Sequence, residues 1–407
     1  MGINFPAAPI IGELYPTPAI AGIPQYKWDG TAWLAMTPSA LTYVQRGGDT
    51  MTGHLALPVS PAAANAVRRD FVEAYAAPFD AMSYSGMQIN GSMDVSQELG
   101  AGTKTGNGFI CDGWQQAAVG TAVISGGRAA GGGVVNMQFS NYCYVNTTTA
   151  QASMGAGDFV ALVHNGEGYR FARLNWGTAN AKPITIGFWS AHNPVGTYSG
   201  SIRNHDGTRS YVFTYTQNVA TVAEYKTVTI PGDTAGTWKT DNGIGLTLTF
   251  AMACGATTTA PAANTWYAAQ YLAAPGQING VAAINNAMRI SGVVILPGSQ
   301  APTAAQSPMI MRPYDQELAT CQRYFNKFLG MSVSGFHSSG GSWIFTMYPL
   351  VPTMRGLPTL TYADISYNNA SALTNSALAP NIAQFRATTT APGSAAASFT
   401  MSYDARL

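Results

Sequence analysis

From Tyr198 to Gly255 the chain runs YSGSIRNHDGTRSYVFTYTQNVATVAEYKTVTIPGDTAGTWKTDNGIGLTLTFAMACG. Within it, Ser210 to Thr216 and Gly245 to Ala251 alternate apolar residues with polar or hydroxyl ones, the period of a strand with one buried face. Asn204-His205-Asp206-Gly207 and Pro231-Gly232-Asp233 punctuate those runs with residue types that accept left-handed or fixed-φ geometry. The chain reverses there, and the next strand pairs back antiparallel. This pattern predicts a β-sandwich core.

Working outward, further strands are expected at 134–139, 159–163, 184–189, 199–203, 225–230 and 288–296, enough with the first two for a jelly-roll-like sandwich. The Gly/Ala tract 126–133 and the polar run 146–156 read as loops, and 299–308 as a linker. Beyond it, Asp315 to Leu329 reads as a helix with Leu318, Cys321, Tyr324 or Phe325, and Phe328 on one face. Strands are expected at 342–348, 359–362, 384–388 and 398–403, giving a small α+β distal domain over 309–407.

The amino-terminal side differs. Residues 1–45 hold six prolines and read as an extended segment ending in a hairpin, in which Tyr26, Trp28 and Trp33 flank the turn at Asp29-Gly30. From Ser60 a helix is expected: Ser60 caps it, Pro61 occupies a position that needs no amide donor, and Pro78 stops it. Ala64, Val67, Phe71 and Ala74 make a seam along one face, and Arg69 and Glu73 stand at pairing distance. The seam is too short to hold helices together by itself.

Composition narrows the function. The 407 residues include 44 Gly and 23 Pro, only 10% are charged, and the net charge is +1, so no electrostatic footprint for nucleic acid or an anionic membrane is expected. Cys111, Cys143, Cys254 and Cys321 follow no zinc or disulfide spacing and read as buried free thiols. The stretch MGINFPAAPIIGELYP lacks a basic region followed by an apolar core, and no apolar run reaches the roughly 18 residues of a membrane span. No cofactor or metal site is expected.

The chain resembles tail-fibre proteins of tailed bacteriophages. Carrying the resemblance are Gly47 to Leu57 (GGDTMTGHLAL), Arg209-Ser210-Tyr211, Glu224-Tyr225, Thr227 to Thr234, Gly236-Thr237-Trp238 and Asp241-Asn242-Gly243. Further along stand Arg312-Pro313-Tyr314, Glu317 to Tyr324 and Met354 to Thr359. It departs from the usual pattern at Arg68 to Glu73 and over 254–270. The resemblance implies a homotrimer joined along the seam of the 46–84 segment and docking of residues 1–45 on phage tail or baseplate proteins through Tyr26, Trp28, Asp29 and Trp33. It also implies assembly in the host cytoplasm and a place in the virion. The sandwich over 85–298 and the distal domain would then meet bacterial surface polysaccharide.

Catalysis finds little support. Asp206, Asp233 and Asp241 each stand beside Gly or Asn, as turn-capping carboxylates do, and Glu224 immediately precedes a strand. Glycoside hydrolysis needs two facing carboxylates, and no nucleophile, zinc or phosphate-loop motif is present. A polysaccharide-degrading tailspike and a purely structural connector or head fibre are the rival readings. Glycan recognition needs flat aromatics beside amide, carboxylate or guanidinium groups. The candidates are Trp189, Arg203, Asn204, His205, Asp206, Trp238, Trp266 and Tyr267 in the sandwich, and Phe336, His337 and Trp343 around the distal loop 332–342.

Overall fold

A computed structural model describes residues 4–20, 23–36 and 86–407. The Gly47–Leu57 element and the expected helix at 61–77, with its seam of Ala64, Val67, Phe71 and Ala74, lie outside the described residues. Contacts divide the chain into two compact units, Met1–Phe71 and Val72–Leu407.

In the first unit, β1 (Leu14–Tyr15), β2 (Tyr26–Trp28) and β3 (Trp33–Ala35) form a small antiparallel sheet. The expected hairpin pairs Trp28 with Trp33. Asp29 Oδ1 accepts from the Thr31 and Ala32 amides at 2.7 and 2.8 Å, and Gly30 takes φ +107°. Phe5 stacks on Trp33 at 5.1 Å and meets Tyr26 edge-on, a ring cluster that supplies the surface such a short sheet cannot make alone.

The second unit holds β4 (Thr103–Thr105), β5 (Gly108–Cys111), β6 (Trp114–Val119), β7 (Val123–Ala130), β8 (Asn141–Thr149), β9 (Phe159–Glu167) and the one-turn α1 (Gly168–Phe171). It continues with β10 (Ile184–Ser190), β11 (Gly196–Arg203), β12 (Ser210–Gln217), β13 (Glu224–Ile230), β14 (Ile244–Cys254), β15 (Trp266–Tyr267) and β16 (Ala287–Pro297). They build two antiparallel sheets, ordered β13-β10-β16-β8-β7-β4 and β15-β12-β11-β14-β9-β6-β5. The non-sequential order makes a jelly-roll-like sandwich. Its core lies between the sheets and includes Trp114, Phe188, Tyr198, Phe213, Phe250 and Ile295, all sealed from solvent. Two histidines join it in neutral form. His164 Nδ1 donates to the Gly113 carbonyl while Nε2 accepts from the Ile89 amide, and His192 Nδ1 accepts from the Arg289 amide while Nε2 meets the Tyr215 hydroxyl. Burial lowers their pKa values to about 4 and about 3.

Three expectations about elements need correction. No strand forms at 134–139: Gly131–Gly133 is a 3₁₀ turn, Asn136 takes φ +63°, and only Val135 bridges, to Val222. The tracts read as loops at 126–133 and 146–156 are strands over 126–130 and 146–149. Glycine serves there because a Cβ on Gly126 would lie 2.5 Å from the Tyr144 carbonyl, so the strand's own neighbour demands it. Along β8, Cys143, Val145 and Thr147 point inward between polar neighbours.

The expected helix at 315–329 is shorter. It forms α2 (Tyr314–Gln322), after which Phe325 enters β17 (Phe325–His337) and pairs with Asp404. The distal lobe continues through β18 (Trp343–Pro349), β19 (Thr359–Asn368), β20 (Ala370–Ala379), β21 (Ile382–Thr389) and β22 (Gly393–Asp404), in sheets ordered β17-β22-β19 and β18-β21-β20. Phe385, Phe399, Met401 and Tyr403 fill its core. The run 332–342 is strand as far as His337 and turn thereafter. Residues 299–308 lie packed on the sandwich: the Tyr225 hydroxyl donates to the Pro302 carbonyl, and Trp189 Nε1 to Ser307 Oγ at 3.0 Å.

Ion pairs fasten lobe to sandwich. Glu167 accepts from Arg323 Nη2 and the Tyr324 hydroxyl, both at 2.7 Å. Arg312 holds Glu317 and donates to the Gly86 and Gln88 carbonyls, and Glu317 accepts from the Asn90 amide. Arg406 bridges Glu98 and Asp404. Arg312, Glu317, Arg323 and Tyr324 all belong to stretches quoted for the resemblance, and their work here is structural.

Candidate binding cleft

On β11 and β14, alternation sends Tyr198, Ile202, Leu246, Leu248 and Phe250 into the core. Ser199, Ser201, Arg203, Thr247 and Thr249 therefore face the opposite side of the seven-stranded sheet, where Ser201 lies across from Thr249 and Arg203 across from Thr247. A chain excursion after β14 covers part of that outer face: Ala260, Ala274 and Tyr267 pack on Val212. The uncovered part is a cleft of about 360 Å³. Its polar lining is Gln115, Asn165, Arg203, Asn204, His205, Asp206, Thr247, Thr249 and Gln270, beside apolar Ala117, Phe159, Val163, Ile244 and Leu272.

Several groups here are sealed from solvent yet have no hydrogen-bond partner: Arg203 Nε, His205 Nδ1, Thr249 Oγ1 and, beside Thr249 in the sheet, Ser201 Oγ. Ser201 and Thr249 are wholly buried. Burial alone lowers the pKa of Arg203, and no hydrogen bond or ion pair to its guanidinium exists among the described residues. Other cleft residues are occupied. Asn165 accepts from Thr247 Oγ1 and donates to the Leu407 carbonyl. Asp206 Oδ1 accepts from both the amide and the hydroxyl of Thr208, which hold its carboxyl below the usual range. Asn204, almost fully buried, clamps the turn by accepting from the Arg209 amide and donating to Thr208 and Thr237; Gly207 completes it at φ +71°.

The aromatics expected beside these residues sit elsewhere. Trp189 is buried against Tyr225 and carries the bond to Ser307. Trp238 and Trp266 form an edge-to-face cluster with Trp176 at 4.6–5.7 Å, and every indole nitrogen donates: Trp176 to the Lys182 carbonyl, Trp266 to that of Pro231, Trp238 to Asp233 and Ala235. Arg209 locks this corner, its Nε and Nη2 gripping the Asp233 carboxylate at 2.7 and 2.6 Å. Tyr267 packs on Tyr271. Glu224 loses solvent, yet Lys226 and the amides of Asn218 and Val219 outweigh that and hold its pKa down. Among the described residues no group of three Cys, His, Asp or Glu is arranged to hold a metal ion.

In the distal lobe, Trp343, Phe345 and Met347 alternate along the outer face of edge strand β18, each more than half exposed. Arg386 lies 4.2 Å over the Trp343 ring. Phe336 is 72% exposed near the same turn, and His337 pairs with Gly393 at the end of β17. In the first unit Tyr26, Trp28 and Trp33 belong to the ring cluster, and Asp29 to its turn.

Of the residues expected from sequence, Arg203 to Asp206 line this cleft; the hydroxyls of its floor and the Phe345–Met347 continuation were not among them. The available signal was a Ser or Thr at every second position of strands whose other residues are core apolars, and Trp-x-Phe-x-Met before Pro349.

No family model and no curated protein matches the chain. Among solved structures, the enzymatically active domain of tailspike protein 4 of bacteriophage CBA120 is similar at 10% identity and TM-score 0.28, over 53% of this chain and 22% of that one. A family 11 carbohydrate-binding module from Clostridium thermocellum, in complex with a mixed-linked tetrasaccharide, is similar at 14% identity and TM-score 0.25, over 48% of this chain and 96% of the module. This chain thus spans about a fifth of the tailspike structure's length, and likenesses of this size leave ligand and activity to the geometry of the chain itself.

Proposed function

We propose that this chain is a virion fibre protein of a tailed bacteriophage that binds glycan on the bacterial surface, with the cleft on the seven-stranded sheet as the recognition site. The observation that carries the binding reading is the convergence of unpaired buried groups on one cleft: Thr249 Oγ1, Arg203 Nε and His205 Nδ1. An unsatisfied buried polar atom costs about 1–3 kcal/mol, so folded proteins keep few of them. A polyhydroxylated ligand brings donors and acceptors at the density this lining requires, with Ala117, Val163 and Leu272 beside them for the C–H faces of sugar rings. The fibre reading rests on the quoted sequence resemblance. Three copies acting together would turn weak single-site contacts into firm attachment.

Binding is favoured over cleavage because the cleft presents one carboxylate, Asp206, already turned onto Thr208, where hydrolysis wants a facing pair. The experiment is binding of the full chain to an array of bacterial surface polysaccharides, beside Ala117→Trp, which puts an indole into the cleft from its half-buried wall. Wild type should bind and A117W should not, at equal thermal stability. Undiminished binding by A117W, or release of reducing ends by the wild type, overturns the reading.

A further inference from the structure

Four arginines of the second unit show how this protein treats a guanidinium it uses for structure. Arg209 holds Asp233, Arg312 holds Glu317, Arg323 holds Glu167, and Arg406 holds Asp404 and Glu98, at N···O distances of 2.5–3.0 Å. Arg203 is shielded too, but with no carboxylate within ion-pair distance among the described residues. Its Nε is sealed and unpaired, while the residue keeps some surface and lines the cleft. An arginine in a protein stays protonated even when burial lowers its pKa, so the cleft holds a guanidinium charge with no carboxylate paired to it among the described residues. A partly buried charge without a partner is costly to keep, and a ligand that supplies the opposite charge recovers that cost on binding.

Resting on the glycan-binding reading, we propose that the cleft selects an acidic glycan, one whose sugar carries a carboxylate, and that Arg203 is the group that receives it. The planar guanidinium fork matches the two oxygens of a carboxylate, as Arg209 demonstrates on Asp233 within this molecule. Thr249 lines the floor of the same cleft, its hydroxyl unpaired, to bond a hydroxyl of the same ring. Selectivity arises because a neutral sugar leaves the guanidinium both desolvated and unpaired. Asp206 is ionised and lines the same cleft, but its Oδ1 is turned onto Thr208 and it forms no ion pair with Arg203, so the guanidinium fork stays open to an incoming carboxylate.

The test prints each polysaccharide of the array in three forms: native, carboxyl-reduced so that CO₂⁻ becomes CH₂OH, and stripped of phosphate esters. Wild-type full chain should bind native carboxylated polymers and lose at least tenfold in affinity on carboxyl reduction, with phosphate removal making no difference. Arg203→Gln should lose about tenfold on the native polymers and bind native and reduced forms alike, and R203K should recover part of the difference. Equal wild-type binding to native and reduced forms, lost in A117W, overturns the acidic-glycan inference and leaves the glycan cleft standing. Loss on phosphate removal with none on carboxyl reduction overturns the carboxylate in favour of a phosphorylated glycan. Binding to no polymer, or binding indifferent to A117W, overturns the cleft itself.

Discussion

Arg203 and Arg209 leave the same hairpin six residues apart and meet opposite fates. Arg209 turns into the corner of Trp176, Trp238 and Trp266 and closes a two-pronged bond on the buried Asp233. Arg203 turns onto the outer face of the sheet, into a cleft of hydroxyls, amides, aliphatic side chains, His205 and Asp206, and pairs with none of them. Both regions are rich in the residue types that sugars favour, and in the sequence they read together as one candidate surface. What separates them is satisfaction: in the corner every indole nitrogen and the guanidinium are spent on the fold, whereas in the cleft Arg203 Nε, His205 Nδ1 and Thr249 Oγ1 have no partner. Residue type alone therefore does not separate the two regions, and the hydrogen-bond account of each group does.

Three measurements break or sharpen that contrast. The largest effect belongs to groups whose satisfaction depends on being neutral. His164 and His192 have native pKa values lowered by burial, to about 4 and about 3, so the unfolded chain takes up protons that the folded chain refuses. Their contribution to stability is complete above about pH 6.5 and is lost as pH falls toward the folded values, at up to about 1.4 kcal/mol per pH unit for each histidine. Urea midpoints between pH 7 and 4.5 should decline accordingly, while ring NMR signals of both residues remain those of neutral imidazole at pH 5. Protonation of either ring at pH 5 in the folded protein contradicts this account.

Next is the aromatic corner. Asp233→Ala leaves Arg209 without its carboxylate and Trp238 without an acceptor, and should lower stability by about 3 kcal/mol in urea unfolding, the usual cost of breaking a buried pair. A loss under about 0.5 kcal/mol would put the corner on the same footing as an exposed ion pair. The smallest effect is expected in the cleft, where Arg203→Gln removes a charge that stabilises nothing. Its urea midpoint should equal or slightly exceed that of the wild type, and a clear fall would mean that Arg203 serves the fold after all.

The strands of the sandwich core were legible because their apolar period is unbroken: Ser210–Gln217 and Ile244–Cys254 alternate with the covering sheet. Strand β7 escaped because Gly126 and Gly127 are there for close approach of neighbouring backbone, which a single sequence displays as a turn signal, and the end of β8 because Asn146 to Thr149 is uniformly polar. The end of α2 escaped for another reason: Phe325 and Phe328 continue the helical spacing of Leu318 and Cys321, but the chain gains more by pairing them with β22. At the site, the turn 204–207 was visible from its residue types. Its role as one wall of a cleft was not, since Thr249 and Gln270 reach it only through sheet order and the excursion after β14. Nor does burial show in composition, which is why Trp189 and Trp343 look alike in the sequence and end at 6% and 53% exposure.

The clasp around α2 is unequally shielded. The distal lobe, with Trp343, Phe345 and Met347 along its edge strand, is joined to the sandwich by charged side chains radiating from a short stretch: Arg312 and Glu317 to the 86–90 backbone, Arg323 and Tyr324 to Glu167. Beneath these bonds Cys321 and Tyr324 pack on Ile89 and Val95, so the junction is both paired and sealed. Brine would loosen first the outer knot, where Arg406 meets the more exposed Glu98 and Asp404, and leave the knots on sealed Glu167 and Glu317 tied.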